Sequence, residues 1–364
     1  MPSSPLVTHR TAFRKALLAW YDERRRDLPW RTAPSLYKTV VSEFMLQQTQ
    51  VKTALPYFER WIRELPDFAS LAAASEERVL KLWEGLGYYS RARNLHRLGK
   101  AVASMKSVPA TAAAWRELPG VGPYTAAAIT SIALGAREAC VDGNVVRILA
   151  RLTADDTAQR DGSSAAKAFA PLATEMLNPD RPGDHNQAMM ELGATVCVRH
   201  SPQCLLCPVS AWCAGRAAGD PERFPRLASK SIERTEVLRA WCEHEGRLLL
   251  HRARQGSRRL AGIHELPTPE QAGLTAGAVR AGPLLARRTR GITRFHVTES
   301  IHAAAAPEMP PADDLAWIPL AEIDTISLSG PHRRWIAEIL GTRTQATSAK
   351  QPAEGRSRRR SKSA

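Results

Sequence analysis

At 364 residues the chain is long enough for two domains with separate cores, and 44% hydrophobic content excludes wholesale disorder. A formal net charge of +15 is the footprint of a polyanion binder and favours DNA over a small-molecule substrate. No apolar run reaches the roughly 18 residues of a membrane span, and the N-terminus lacks the apolar core of a signal peptide; a cytoplasmic protein with no membrane partner is expected.

The first clear helix is predicted over residues 36–55, where apolar residues recur at three- and four-residue spacing. It carries Glu43 among Val41, Phe44 and Leu46. An acid in that company either faces solvent, the default, or sits in a dry pocket. The polar run Gln47-Gln48-Thr49-Gln50 on the same pattern offers amides and a hydroxyl, which suit base edges. Further helices are predicted over 76–86, 112–117 and 125–134. Between the last two lies Leu118-Pro119-Gly120-Val121-Gly122-Pro123-Tyr124-Thr125. Gly120 and Gly122 permit a tight turn whose amides point outward at a helix start, where phosphate binds without a side-chain cation. The result is a helix–hairpin–helix, read as a grip on a DNA backbone rather than plain turn chemistry.

Val141-Asp142-Gly143-Asn144 opens a helix over 145–153. Asp142 is either its cap, the commonest role of such an aspartate, or a catalytic carboxylate near the backbone that the hairpin holds. Glu43 and Asp142 together supply what glycosidic hydrolysis requires: one protonated acid for the departing group and one carboxylate for an oxocarbenium-like sugar. Burial would raise the pKa of the first and keep it usable near neutrality. Helices over 164–177 and 185–197 follow.

Cys197, Cys204, Cys207 and Cys213 then fall in one short window with the spacing C-x6-C-x2-C-x5-C, leaving only Cys140 and Cys242 elsewhere. Four thiols this close can bridge pairwise, hold a tetrahedral zinc or hold an iron–sulfur cluster. Residues 8–214 thus read as a helical domain. A polar link with Pro221 and Pro225 is predicted over 215–234. Strands over 237–241 and 247–250 around Glu245-Gly246, a strand over 293–303 and a helix over 333–340 make 235–341 a smaller α+β domain. Residues 342–364 read as a disordered basic tail: from Arg343 onward seven Lys/Arg face Glu354 alone, which leaves the folded body still basic.

Seven motifs in one order then carry a resemblance. They are Leu28-Pro29-Trp30-Arg31, the run from Ser42-Glu43 through Val51, Gly85-Leu86-Gly87-Tyr88-Tyr89-Ser90-Arg91-Ala92-Arg93, the hairpin, Val141-Asp142-Gly143-Asn144, Asn186-Gln187-Ala188-Met189-Met190-Glu191-Leu192-Gly193 and the four cysteines. Together they resemble the adenine DNA glycosylase family of the endonuclease III-like, helix–hairpin–helix superfamily. The resemblance implies a mainly α glycosylase domain whose four cysteines hold a [4Fe–4S] cluster. It implies that Glu43 protonates a flipped adenine and that Asp142, oriented by Asn144, stabilises the sugar C1′, with the Tyr124 hydroxyl nearby. Arg31 and Glu191 match pocket residues that read adenine; Thr49 joins the binding set. Gln48 and Tyr88, with Leu86 a weaker member, match side chains that enter the stack beside an oxidised guanine. Relatives that cleave the strand place a lysine where this chain has Tyr124, so a monofunctional enzyme is expected.

The resemblance also implies that 235–341 is a Nudix-like domain reading 8-oxoguanine, with Ser300 of Thr298-Glu299-Ser300-Ile301-His302 in the place of a recognition serine in a loop. No glutamate-rich Nudix box follows Pro267, so pyrophosphohydrolase activity is not expected. The implied partner is double-stranded DNA with adenine opposite 8-oxoguanine or guanine, bound by a monomer at a bacterial nucleoid. A thymine–guanine mismatch glycosylase and a non-catalytic iron–sulfur DNA-binding protein are the alternatives. Glu43, the glutamine-rich run and the extra C-terminal domain weigh against the first, and Glu43 with Asp142 weighs against the second.

Overall fold

A computed structural model describes residues 5–348 apart from 229–230, 255–256, 258–259, 293 and 308–312. The chain divides into two compact units at residue 230.

The first unit is built of helices: α1 (Pro5–Thr8), α2 (Arg10–Arg24), α3 (Pro29–Thr32), α4 (Leu36–Leu46), α5 (Val51–Glu64), α6 (Phe68–Ala73), α7 (Glu76–Trp83) and α8 (Tyr89–Ala103). They are followed by α9 (Ala112–Arg116), α10 (Pro123–Leu134), α11 (Gly143–Thr153), α12 (Gly162–Met176), α13 (Pro182–Thr195) and α14 (Ala214–Ala217). Side-chain caps set several of their starts. Ser35, Ser75, Thr111 and Asp161 each accept a backbone N–H three residues on. Two cores form beneath the apolar stripes. Trp61 meets Trp83 edge-on at 5.7 Å and Trp30 meets Phe58 at 5.0 Å, locking α3, α5 and α7. Phe13, Leu17, Ile148, Leu149, Phe169, Met189 and Leu192 join α2, α11, α12 and α13. Between them runs α10, touching both α4 and α13, with Ala126, Ala127 and Ala128 buried so that the neighbours approach closely.

Two expectations change here. The helix over 36–55 is broken: α4 stops at Leu46, Gln48 takes φ +56°, and α5 restarts at Val51. The link over 215–234 is not a free linker. Phe224 is buried in the α2–α11–α12–α13 core, and residues 226–228 pair with Gln159 through Gln159 N–H to Arg226 O at 2.8 Å and Ala228 N–H to Gln159 O at 2.9 Å. One aromatic in a polar run carries no periodicity to reveal it.

The second unit is a mixed sheet: β1 (Glu233–His244), β2 (Arg247–Arg252), β3 (His264–Glu265), β4 (Leu284–Ile292), β5 (Phe295–Ala304) and β6 (Leu315–Pro319), with α15 (Ala276–Ala281) and α16 (Gly330–Ser348). Its order is β3-β2-β1-β5-β4, with β6 also on β2, and β1 and β5 run parallel. Glu245 and Gly246, at φ +48° and +71°, close the β1–β2 hairpin; the glycine suits its left-handed backbone, whereas the glutamate takes it within the turn. Leu248 and Leu250 face one core with Trp335 and Ile336 of α16, and Leu249 faces another with Val279 of α15. Both faces are therefore covered. α16 runs on to Ser348, past the break expected at Thr342; the rest of the predicted tail, 349–364, lies outside the described residues.

Glu299, next to Ser300 in β5, is a buried acid. It lies at the centre of this unit with no exposed surface, 2.6 Å from the Arg239 Nε and 2.6 Å from the Arg290 Nε, with His332 at 3.4 Å. Burial alone would raise its pKa, but His332, Arg239 and Arg290 hold it well below the usual range.

Candidate active site

The C-terminal turn of α4, the N-termini of α10 and α11 and the middle of α13 border a cavity of about 520 Å³ in the first unit. Arg31, Glu43, Thr49, Tyr124, Asp142, Asn144 and Glu191, scattered over 160 positions of sequence, all line it.

Glu43 is buried, and burial is the main reason that its pKa rises to about 7, with the charge of Asp142 adding to the rise. The Tyr124 hydroxyl and Arg31 partly oppose the shift. The Tyr124 hydroxyl also lies 3.0 Å from Met190 Sδ. Asp142 is the cap of α11 and lines the cavity as well. Its Oδ1 accepts from Asn144 N–H at 2.9 Å and Val145 N–H at 2.8 Å, while Oδ2 accepts from Asn144 Nδ2 at 2.9 Å. Three donors fix the carboxylate yet leave it on the cavity wall. Asn144 is itself held from behind: Arg147 Nη2 donates to its Oδ1 at 2.8 Å, and Arg147 Nε donates to Cys197 O at 2.8 Å. Gly193 opposite leaves the space, since a Cβ there would lie 2.5 Å from Asn144 Cβ.

The far wall is an ionic hub. Glu191, with no exposed side-chain surface, receives Arg26 through Nε at 2.7 Å and Nη2 at 2.9 Å, and Arg31 through Nη1 at 3.0 Å. Burial would raise the pKa of Glu191, but the two arginines hold it down. Arg31 also donates to Gln187 Oε1 at 3.1 Å. The hub can present donors and acceptors to a flat heterocycle, with Leu28 and Trp30 as apolar walls.

The remaining residues lie outside the cavity. Gln48 and Tyr88 are exposed on two loops, both in left-handed backbone, at φ +56° and +49°. Leu86 is not their companion: its side chain is buried, so it does not project from the surface. Gly120, at φ +77°, packs against Asn94, where a Cβ would lie 2.5 Å from Asn94 Cβ; Gly122 precedes Pro123 at the start of α10 with open space around it. Ser300 sits within β5, paired to Leu238 on one side and Arg287 on the other, so the loop expected around it is a strand.

Cys197, Cys204, Cys207 and Cys213 are all free thiols around one small hollow with Pro202 and Pro221. Four thiols around one hollow match the donor set of a cluster held by four cysteines. Burial and then the neighbouring sulfurs push Cys207 up to about 12, and the same causes raise Cys213. Arg151, buried in α11, lies 3.3 Å from Cys197 Sγ and donates to Val198 O at 2.7 Å.

Arg26, Gln187, Met190, Arg147 and Arg91 were not singled out from sequence. Gln187, Met190 and Arg91 lie inside quoted motifs, but Arg26 sits in the charged run Asp22-Glu23-Arg24-Arg25-Arg26-Asp27, which reads as a solvated helix end.

Residues 41–171 match the HhH-GPD superfamily of base excision DNA repair proteins. The chain is 45% identical over 237 residues to the adenine DNA glycosylase of Homo sapiens, covering 62% of this chain and 43% of that one. It is 41% identical over 212 residues to the adenine DNA glycosylase of Mycolicibacterium smegmatis, covering 56% and 70%. The chain therefore spans less than half the length of its mammalian relatives. A solved thermostable thymine-DNA glycosylase superposes with a TM-score of 0.50 at 26% identity, over 58% of this chain and 98% of that one.

Proposed function

This chain belongs to the adenine DNA glycosylase family, and from that premise we propose that it hydrolyses the N-glycosidic bond of adenine mispaired with 8-oxoguanine or guanine in duplex DNA. The observation that carries the reading is Glu43, buried with a pKa near 7 in the same cavity as the fixed carboxylate of Asp142. Near neutrality Glu43 holds a proton for the departing base, while Asp142, its lone pairs directed by Asn144, faces the cation that develops on the sugar. An adenine out of the stack meets Arg31, Gln187 and the arginine-bound Glu191. Gly120 and Gly122 leave the amides before α10 open to phosphate, and Tyr88 and Gln48 hold the gap in the duplex.

Tyr124 supplies no amine for a Schiff base, so the strand stays intact. Cys197, Cys204, Cys207 and Cys213 would hold a [4Fe–4S] cluster, which when bound ties the 197–213 loop together by four thiolate bonds. The second unit reads the base opposite the adenine, and the protein acts as a monomer on the bacterial chromosome.

Duplexes carrying A, T or C opposite G or 8-oxoguanine, scored for released base, test the reading. Release of adenine alone, with strands breaking only after hot alkali, supports it. Release of thymine opposite guanine would favour the mismatch glycosylase; the solved thymine-DNA glycosylase has a similar fold. Borohydride trapping of the wild type would point to Lys52, an amine on the cavity wall.

A further inference from the structure

The two rim loops are tied by one side chain. Arg91, in the first turn of α8, is buried. Its Nη1 lies 3.2 Å from Phe44 O, 2.9 Å from Met45 O and 3.1 Å from Thr49 Oγ1, and also contacts Gln47 O. Its Nη2 donates to Leu86 O and Gly87 O, both at 3.1 Å. In the first set, Phe44 O and Met45 O are carbonyls of the last turn of α4, which have no partner within their own helix and favour a cation, while Gln47 O and Thr49 Oγ1 belong to the turn after it. The second set belongs to the loop before α8. The guanidinium also lies 5.3 Å from the Trp83 ring and 5.4 Å from the Tyr88 ring. Trp83 Nε1 reinforces the second loop through Gly87 O at 3.1 Å. Gln48 and Tyr88 are the left-handed residues flanking this contact, a conformation that side chains other than glycine hold only when their surroundings enforce it.

We propose that Arg91 is a positioning residue that clasps the two loops so that Gln48 and Tyr88 stand in register as one wedge. The proposal rests on the glycosylase reading. Arg91 touches neither substrate nor reacting atoms; it acts through Tyr88 and Gln48, so its removal impairs opening of the duplex and leaves the chemistry of Glu43 alone. Lysine keeps the charge but lacks the planar fork that reaches both loops at once.

The test is a cycle of wild type, Arg91→Lys, Tyr88→Ala and the double variant, on a duplex with adenine opposite 8-oxoguanine and 2-aminopurine beside the adenine. Arg91→Lys should slow single-turnover base release by up to about a hundredfold, as misplacement remote from chemistry can. It should also abolish the fluorescence rise of unstacking and leave the pH midpoint of release unmoved. In the Tyr88→Ala background it should add little further loss, because both changes disable one wedge. Additive losses, a shifted midpoint, or slowed release with the fluorescence rise intact would overturn the proposal and leave Arg91 as packing. If Arg91→Lys fails to fold, Trp83→Phe, which removes the bond to Gly87 O, should give the same pattern at smaller size; wild-type rates there would equally overturn it. Wild-type protein that releases no adenine would overturn the glycosylase reading and this proposal with it, whereas an active wild type with an additive cycle overturns this one alone.

Discussion

Glu43 is held in a place that costs the fold stability. Its pKa rises from 4.5 unfolded to about 7 in the fold, so between those values the folded state holds a proton that the unfolded state has lost. Stability therefore falls as pH rises from about 4.5 to about 7, and the loss is complete above. At about 1.4 kcal/mol per unit the penalty is about 3–4 kcal/mol. Glu43→Gln should thus be more stable than wild type at pH 8, with the gap closing toward pH 4.5 in chemical denaturation, while base release falls by about 10²–10⁴-fold. A variant no more stable at pH 8 would mean that Glu43 is solvated. Asp142→Asn separates the two roles of that residue. Asparagine caps helices as well as aspartate does, so α11 should survive and melting stay near wild type, while catalysis fails for want of the charge.

At the scale of elements, the hairpin offers a contrast between two glycines. Gly120 is left-handed and pressed on Asn94, so Gly120→Ala should destabilise the protein by about 1 kcal/mol or more and weaken binding to duplex DNA. Gly122 has open space, so Gly122→Ala should melt like wild type; any loss of DNA affinity then reports contact with phosphate directly. Equal destabilisation by both would contradict the description of the turn. Three- and four-residue apolar spacing located α4, α7 and α9 to α13 but not α2, α6 or α8, and of the helix starts only the Asp142 cap was read. The break at Gln47–Gln50 was not, because no glycine or proline marks it; the αL turn is held by Arg91 from another helix. β4 was missed for a related reason. Its run Arg287-Arg288-Thr289-Arg290 shows no apolar alternation, and its charges are matched by Glu236, Glu338 and the buried Glu299 from distant positions. In the site, residue types pointed to Glu43 and Asp142, and the family resemblance pointed to Asn144. The partners that set their chemistry, Arg26 on Glu191 across 165 residues and Arg147 behind Asn144, exist only in three dimensions.

For the whole molecule, the boundary decides what can be separated. Because residues 226–228 are stitched to Gln159, a cut after 230 spares the first unit where a cut after Arg226 would open it. The fragment ending at 230 should still release adenine, since every residue lining the cavity lies within it. It should lose preference for 8-oxoguanine over guanine by roughly ten- to hundredfold, the worth of one polar contact to a base edge at about 1–3 kcal/mol. Undiminished preference would move lesion reading to Gln48 and Tyr88. Ser300, fixed between two strands, is a poor candidate for that contact, and Ser300→Ala alone should leave the preference near wild type.

The most direct measurement is the pH profile of single-turnover adenine release by the wild type and by Glu43→Gln, at saturating enzyme. A buried acid that must be protonated gives a rate that holds on the acid side and falls about tenfold per pH unit above a midpoint near 7. The Glu43→Gln profile should lie far lower and lack that descending limb. A wild-type rate that rises through pH 7, or a glutamine variant that keeps the wild-type profile, would contradict Glu43 as the proton donor.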